Sequence, residues 1–423
     1  MEFPAAWTAG GLAGPVTSAW LAAFEDDHLA ALVAEAVAHN PDLRISVFKI
    51  QQSAEYVNLA KATLLPVVNL FGTGGTKSGG GDMSSAIQGL ALVASWELDI
   101  WGRLRYDRNA AEESYLSAQA DFKFARESIA ASTARSWFMV TETWLQQQIA
   151  GEMVQSAEQL LTVSEQRFRV GVGGERDVAL AQAKLGTFRD NAAQVQLAHT
   201  QALRALELLI GRYPAAELQA RRHLAKLPGP VPVGMPLELL ERRPDLIAAE
   251  RRVAAAFNLV GEAKTARLPK ITLNASIAAI TSEVLQTKEG FKNPTSGLGA
   301  RLLAPIYQGG ALETQVEIRT LQQKEAVAQY AGIALRALGD VENSLAAAAN
   351  LTERERLLQR SVVDHQRAYE LVQIGYRTGT VDLRNVEQQL IDLNGARLTL
   401  LRVQSEQLSQ RVNLHLALGG SFE

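Results

Sequence analysis

Two stretches of this chain, 166–185 (QRFRVGVGGERDVALAQAKL) and 374–393 (IGYRTGTVDLRNVEQQLIDL), are copies of one another. Phe168 pairs with Tyr376, Arg169 with Arg377, Gly171 with Gly379, Asp177 with Asn385, Val178 with Val386 and Leu185 with Leu393, each pair 208 residues apart. Leu104 and Leu312, and Gly211 and Gly419, keep the same offset. Nearer the N-terminus the offset is 203, matching Asn40-Pro-Asp-Leu43 with Arg243-Pro-Asp-Leu246 and Leu65-Pro66 with Leu268-Pro269, so five residues have been gained between the matched regions. Whatever a unit of about two hundred residues folds into, the chain must accommodate it twice.

Composition narrows the class. The 423 residues carry a net charge of −3, which leaves no electrostatic footprint for nucleic acid. No apolar run reaches the ~20 residues of a membrane-spanning helix, although β-strands that cross a membrane leave a much weaker signal. The absence of cysteine excludes disulfides and thiolate metal sites. Met1-Glu-Phe-Pro4 has neither a basic start nor an apolar core, so we expect a processed or engineered N-terminus, and a cytosolic coiled-coil protein stays open on composition alone.

Taken in order, 1–27 is rich in Ala, Gly and Pro and is expected to be an extended lead-in. A short helix over 28–39 follows, capped by Asp27, with Leu29, Leu32, Val33 and Val37 on one stripe. Asn40 caps a helix that starts at Pro41 and runs to about 64. Pro66 ends the helical pattern, and over 67–76 and 86–97 the period changes to two. Leu90, Leu92, Ala94 and Trp96 point one way; Ala91, Val93, Ser95 and Glu97 point the other. This predicts a hairpin (67–97) of strands near the ~10 residues of a tilted membrane strand.

From 102 to 170 there is no proline and one interior glycine, Gly151, which predicts a helix roughly 100 Å long. A seam of mostly small residues runs from Ala118 through Phe122, Ile129, Met139 and Met153 to Leu160. Gly171-Val-Gly-Gly174 breaks it. The return helix, 175–210, has a cleaner seam: Val178, Ala181, Leu185, Phe188, Ala192, Val195, His199, Ala202, Leu206 and Leu209. A Pro-rich linker within 212–235 joins repeat 1 (28–211) to repeat 2 (236–419), and 420–423 is a short tail. Repeat 2 is expected to hold a short helix at 237–242, the next helix at 243–266, a hairpin at 269–307, a long helix at 310–375 and a return at 382–418.

Four strands cannot close a barrel, since small closed barrels start near eight strands, and open edges in lipid would leave backbone groups unpaired. Nor can such long helices bury all their faces in one chain. Copies that share one barrel and one helical tube by cyclic symmetry solve both problems; three would supply twelve strands and two would supply eight.

The paired motifs resemble the outer-membrane efflux protein family, the TolC-like factors, and within it the lipoprotein subgroup that serves RND-type multidrug pumps. The resemblance rests on WLAAFEDDHLAALVAEAVAHNPDL (20–43), WELDIWGRLR (96–105), RRPDL (242–246), PIYQGG (305–310), YRTG (376–379) and LALGG (416–420), which together cover nearly the whole chain. It implies a mixed, mostly helical membrane protein: a homotrimeric 12-stranded β-barrel, four strands per chain, continuous with an α-helical coiled-coil periplasmic tunnel. It also implies an outer-membrane location in a Gram-negative bacterium. The subgroup is acylated on an N-terminal cysteine and this chain has none, so either that residue left with the leader or this member is not lipidated.

The function implied is a passive exit duct for drugs or other small molecules, joined by a periplasmic adaptor (a membrane fusion protein) to an inner-membrane RND-type transporter and surrounded by outer-membrane lipid. The alternative duct is that of a type I protein secretion system. A poreless coiled-coil scaffold is the rival of another class. Neither an enzyme nor a cofactor is expected.

In the family the second tip closes the pore, which places the gate at Asp382, Arg384, Asn385 and Gln388, with Asp177 in the first tip. An acid repeated around a threefold axis repels its copies and selects cations, but Asp382 also stands where a helix N-cap belongs. Gly171, Val172, Gly173, Gly379 and Thr380 are small enough for an adaptor tip to approach, and equally suit tight turns. Trp96, Trp101 and Tyr307 read either as membrane-interface aromatics or as packing. Trp137 and Trp144, seven apart, read as a packing stripe. Gly72-Thr-Gly-Gly-Thr-Lys77-Ser78 lacks the glycine before lysine and the following helix of a phosphate loop. The six histidines show no metal-ligand spacing.

Overall fold

The structure is a computed structural model that describes residues 4–16, 18–73, 88–281 and 295–423. The loop parts of both expected hairpins, and with them Lys77 and Ser78, lie outside the described residues. The chain divides into two compact units, each drawn from both halves of the sequence: residues 1–46, 122–244 and 334–423 form one, and residues 47–121 and 245–333 the other.

Helices α1 (Asp27–His39), α2 (Pro41–Ala62), α3 (Arg103–Arg169), α4 (Glu175–Leu209), α5 (Leu239–Arg242), α6 (Pro244–Thr265), α7 (Ala311–Thr378) and α8 (Leu383–Ala417) alternate with strands β1 (Val67–Thr73), β2 (Gln88–Leu98), β3 (Lys270–Thr281) and β4 (Thr295–Leu303). The fourth strand stops before Pro305, which has no N–H for a ladder, so Tyr307 lies beyond the strand that was expected to reach it.

Unit two holds one antiparallel sheet in the order β1-β2-β3-β4. The register gives the sheet one almost wholly apolar face and one mixed face that holds its charged side chains. Val68, Leu70, Leu90, Leu92, Ala94, Trp96, Ile271, Leu273, Ala275, Ile277, Leu298, Ala300 and Leu302 share one face. The other carries Asn69, Ser95, Glu97, Lys270, Thr272, Asn274, Ser276, Thr295 and Arg301, interspersed with Val67, Phe71, Ala91, Val93, Ala278 and Leu303. Alternation of this kind gives a sheet with one apolar and one polar side.

Unit one is built on the repeat. Asn40 caps α2 by accepting from Asp42 N and Leu43 N (2.9 and 3.2 Å), and its Nδ2 donates to Leu209 O at the end of α4 (2.9 Å). The equivalent residue, Arg243, donates to Ala417 O at the end of α8 (3.3 Å). A Cβ on Gly211 (φ 79°) would come within 2.7 Å of His39 O, and one on Gly419 (φ 70°) within 3.2 Å of the Arg242 carbonyl carbon. The duplicated glycines thus permit one close backbone approach, made twice.

Two readings of the N-terminal region are corrected. The lead-in is not extended throughout: Trp20–Phe24 is a 3-10 helix whose two aromatic rings pack edge to face at 6.1 Å, with Phe24 against Phe138 at 5.3 Å. Their burial beside α1, α3, α4 and α8 drives the chain inward here. The cap of α1 is Asp26, not Asp27. Its Oδ1 accepts from Leu29 N (3.1 Å), and its Oδ2 accepts from Trp137 Nε1 (3.0 Å) and pairs with Arg221 (3.1 Å). Trp137 is therefore a hydrogen-bonded anchor as well as packing. The long seam on α3 also shifts: Ala130, Ala134, Trp137 and Phe138 are buried in mid-helix while Met139 is half exposed. A 3.6-residue turn drifts from a fixed 3-4 stripe, and α1 claims the rotated face.

His415 is the one buried core residue whose two ring nitrogens both lack a hydrogen-bond partner among the described residues. It stacks on Trp20 at 6.0 Å. Burial first, and Arg411 second, push its pKa from 6.5 down to about 4. The folded state thus resists a proton that the unfolded chain accepts, so stability falls as pH drops from 6.5 towards 4. His415→Phe is expected to raise the melting temperature more at pH 5 than at pH 8, with a difference near 2 kcal/mol. Thermal melts at the two pH values measure it, and equal shifts would contradict it.

Candidate functional site

The expected gate and tip residues fall on the two helix–turn–helix ends of unit one, and the structure builds both turns the same way. After α3, Val172 N and Gly173 N donate to Arg167 O (3.0 and 3.1 Å); after α7, Thr380 N and Val381 N donate to Gly375 O (2.9 and 3.3 Å). Gly171 (φ 75°) and Gly379 (φ 81°) supply the left-handed step. Each turn folds back over a glycine, but at opposite ends. In the first, a Cβ on Gly173 would press on Arg167 at 3.0 Å; in the second, a Cβ on Gly375 would collide with Val381 Cγ2 at 2.6 Å. The small residue and the bulky one have exchanged places between repeats.

Asp382 occupies the N-cap position of α8, yet its carboxylate makes no capping hydrogen bond. It is exposed, as are Arg384, Asn385 and Gln388. Gln388 Nε2 donates to Asp392 Oδ1 (2.8 Å). Asp177 departs from this group: it is half-buried and stands near Glu387. The turn residues Gly171, Val172, Gly379 and Thr380 are exposed, and Gly173 is partly covered.

Two residues not singled out from the sequence shape the site. Arg167 reaches from the end of α3 to α7, donating to Tyr376 O (2.8 Å) with its guanidinium 4.8 Å from the Tyr376 ring centroid. Tyr376 Oη and Ser164 Oγ are 3.2 Å apart. Glu387 is 5 % exposed, lies on the buried face of α8 with Leu383, Val386 and Leu390, and its Oε1 has no hydrogen-bond partner among the described residues. Burial raises its carboxyl pKa above the ordinary 4.5, Lys184 opposes this, Asp177 adds to it, and Arg384 opposes it. A raised carboxyl pKa leaves the packing undisturbed below pH 4.5 and weakens it as pH climbs through the folded value. Glu387→Gln is expected to slow amide exchange over 383–393 at pH 8, where the parent carboxylate is held charged in a buried place, and to leave it unchanged at pH 4. Equal protection of both proteins at pH 8 would contradict this.

At the foot of the sheet in unit two, Trp96 Nε1 donates to Leu64 O (2.8 Å) and Trp101 Nε1 to Pro269 O (2.7 Å), while both side chains stay partly exposed. Tyr307 is exposed in the segment after β4.

Comparison with known proteins agrees with this architecture. A profile of the family described as "Outer membrane efflux protein" matches residues 32–212 and again 235–420. The chain is 29 % identical over 417 residues to the pyoverdine export outer membrane protein OpmQ of Pseudomonas aeruginosa, covering 96 % of this chain and 87 % of that protein. It is 27 % identical over 413 residues to the cation efflux system protein CusC of Escherichia coli, covering 96 % and 88 %. The solved outer-membrane channel OprN superposes with a TM-score of 0.88 at 25 % identity, over 100 % of this chain and 98 % of that one.

Proposed function

Because the chain belongs to the outer membrane efflux protein family, we propose that three copies of it form a passive exit duct in the outer membrane of a Gram-negative bacterium. The duct receives small molecules from a periplasmic adaptor and an inner-membrane RND-type transporter. The observation that carries this reading is the two-faced, four-stranded sheet whose outer strands, β1 and β4, have no partner on one side among the described residues. Such edges are untenable in lipid, and an apolar outside with a polar inside is the pattern of a membrane barrel. Three sheets of four strands close into twelve. Trp96 and Trp101, with their N–H groups bonded and their rings exposed, serve as interface anchors, and Tyr307 joins them.

The long helix pairs extend the duct into the periplasm. Asp382 gates it: a carboxylate without a capping bond, repeated three times about an axis, narrows the path electrostatically. The adaptor docks on the small residues of the two turns. Docking shifts α7 and α8, and the Arg167–Tyr376 contact is the link that has to yield. Planar-bilayer recording tests this reading. Small cation-selective steps that grow in Asp382→Ala support a duct gated by this ring. No steps at all from folded protein would overturn the duct, and large steps indifferent to the substitution would move the gate away from Asp382.

A further inference from the structure

Only three charged residues stand on the polar face of the sheet among the described residues: Glu97, Lys270 and Arg301. Glu97 is already engaged: its carboxylate accepts from Arg103 Nε and Nη2 (3.2 and 3.0 Å), and Arg103 is shared with Glu262 (3.4 Å), so this trio leaves one formal negative charge against the two cations. The other acids around the foot of the sheet are matched as well, Asp99 with Arg105 (3.0 Å) and Glu313 with Arg267 (3.2 Å). Neither Lys270 nor Arg301 forms an ion pair among the described residues; Glu97, directly opposite Thr272 on β2, is a diagonal neighbour of Lys270 on the same face but is held by Arg103. Thr272 lies directly opposite Arg301 and two residues from Lys270 on the same face, so the two cations are diagonal neighbours at about 7–8 Å. Like charges that close, with the nearest acid already engaged by Arg103, are unfavourable for the isolated sheet.

From this arrangement we propose that Lys270 and Arg301 form a cationic band inside the barrel that favours passage of anionic solutes, those bearing carboxylate, phosphate or sulfonate groups. The proposal rests on the duct reading, which makes the polar face the lumen and places three copies of the pair at one level. Among the described residues, closure adds no acid beside the band on β1, which presents Val67, Asn69 and Phe71 on this face. Fields from such bands reach about 10 Å at 0.1 M salt and about 30 Å at 0.01 M, so their influence on solutes grows as salt is lowered.

The chain has no cysteine, so a single introduced thiol reports the local potential. Asn274→Cys would stand on the polar face next to the band, and Ala275→Cys on the apolar face. In the full chain reconstituted in phospholipid vesicles at 10 mM salt, we would compare modification rates by an anionic (sulfonatoethyl) and a cationic (trimethylammonioethyl) methanethiosulfonate. Both rates are scaled to those of free cysteine. The expected result is faster anionic modification of Asn274→Cys, with the anion-to-cation ratio falling about fivefold in the Lys270→Gln/Arg301→Gln background. A ratio unchanged by the double substitution would overturn the band while leaving the duct intact. Should Asn274→Cys resist both reagents while Ala275→Cys reacts, the faces are reversed and the duct reading falls with the band. If the double variant fails to assemble, Arg301→Gln alone serves, with a twofold or smaller but measurable fall expected and no change again overturning the band.

Discussion

Leu298→Arg is expected to abolish stable assembly in lipid, whereas Asn274→Arg is tolerated. Leu298 lies in mid-β4 on the apolar face and is 91 % exposed in the single chain, which only a non-aqueous surrounding makes favourable. A cation on the lipid face near mid-membrane costs about 2–4 kcal/mol, and three copies incur it together. Asn274 pairs with Gly299 on the polar face, where the chain already carries Arg301 two residues away on the same strand as Gly299. The same charge on the two faces of one sheet should therefore give opposite outcomes. Gel mobility of unheated protein and its thermal stability in vesicles would measure the difference. Equal loss in both variants, or loss in Asn274→Arg alone, would contradict the assignment of faces.

Glu207→Ala is expected to destabilise unit one by about 3–5 kcal/mol, because it strips three backbone donors of one acceptor. Glu207 is 2 % exposed; its Oε2 accepts from Ala216 N (2.6 Å), and its Oε1 from Glu217 N (2.7 Å) and Leu218 N (3.2 Å). The clamp holds the first part of the linker against the end of α4. Glutamine restores only one accepting oxygen and should recover part of the loss. The residue 208 positions on is His415, buried to the same degree but with no hydrogen-bond partner for its ring among the described residues, so there the repeat has a neutral ring in place of a charge. Denaturant unfolding and proteolysis within 212–235 would report the effect. A Glu207→Ala protein as stable and as protease-resistant as the parent would contradict it.

Features that depend on local pattern were legible in the sequence. The change of period at Pro66 and Pro269 marked the strands, and Gly171 and Gly379 marked the turns, because backbone sterics alone demand them. What escaped depended on neighbours distant in sequence. Trp20 and Phe24 looked like part of a surface lead-in until Phe138, more than a hundred residues away, gave them a core. Asp27 and Asp26 are equally good caps on paper, and Trp137 and Arg221 decide for Asp26. Glu387 did leave a trace. With Leu383, Val386 and Leu390 it forms an i, i+3, i+4, i+7 stripe, so an acid was already written onto a buried face. The nearby exposed polar residues drew the gate assignment instead.

The closed barrel of three copies can be tested by oxidative cross-linking. Within one chain β1 and β4 lie at opposite edges of the sheet, three strand spacings or about 14 Å apart, beyond the reach of a disulfide. Val68→Cys in β1, combined in turn with Leu298→Cys, Ala300→Cys or Leu302→Cys in β4, can therefore bridge only between copies. For one of these pairs oxidation should give a ladder of one, two and three linked chains that ends at three. Protein that stays single under every pairing, or a ladder that stops at two, would contradict a barrel shared by three copies.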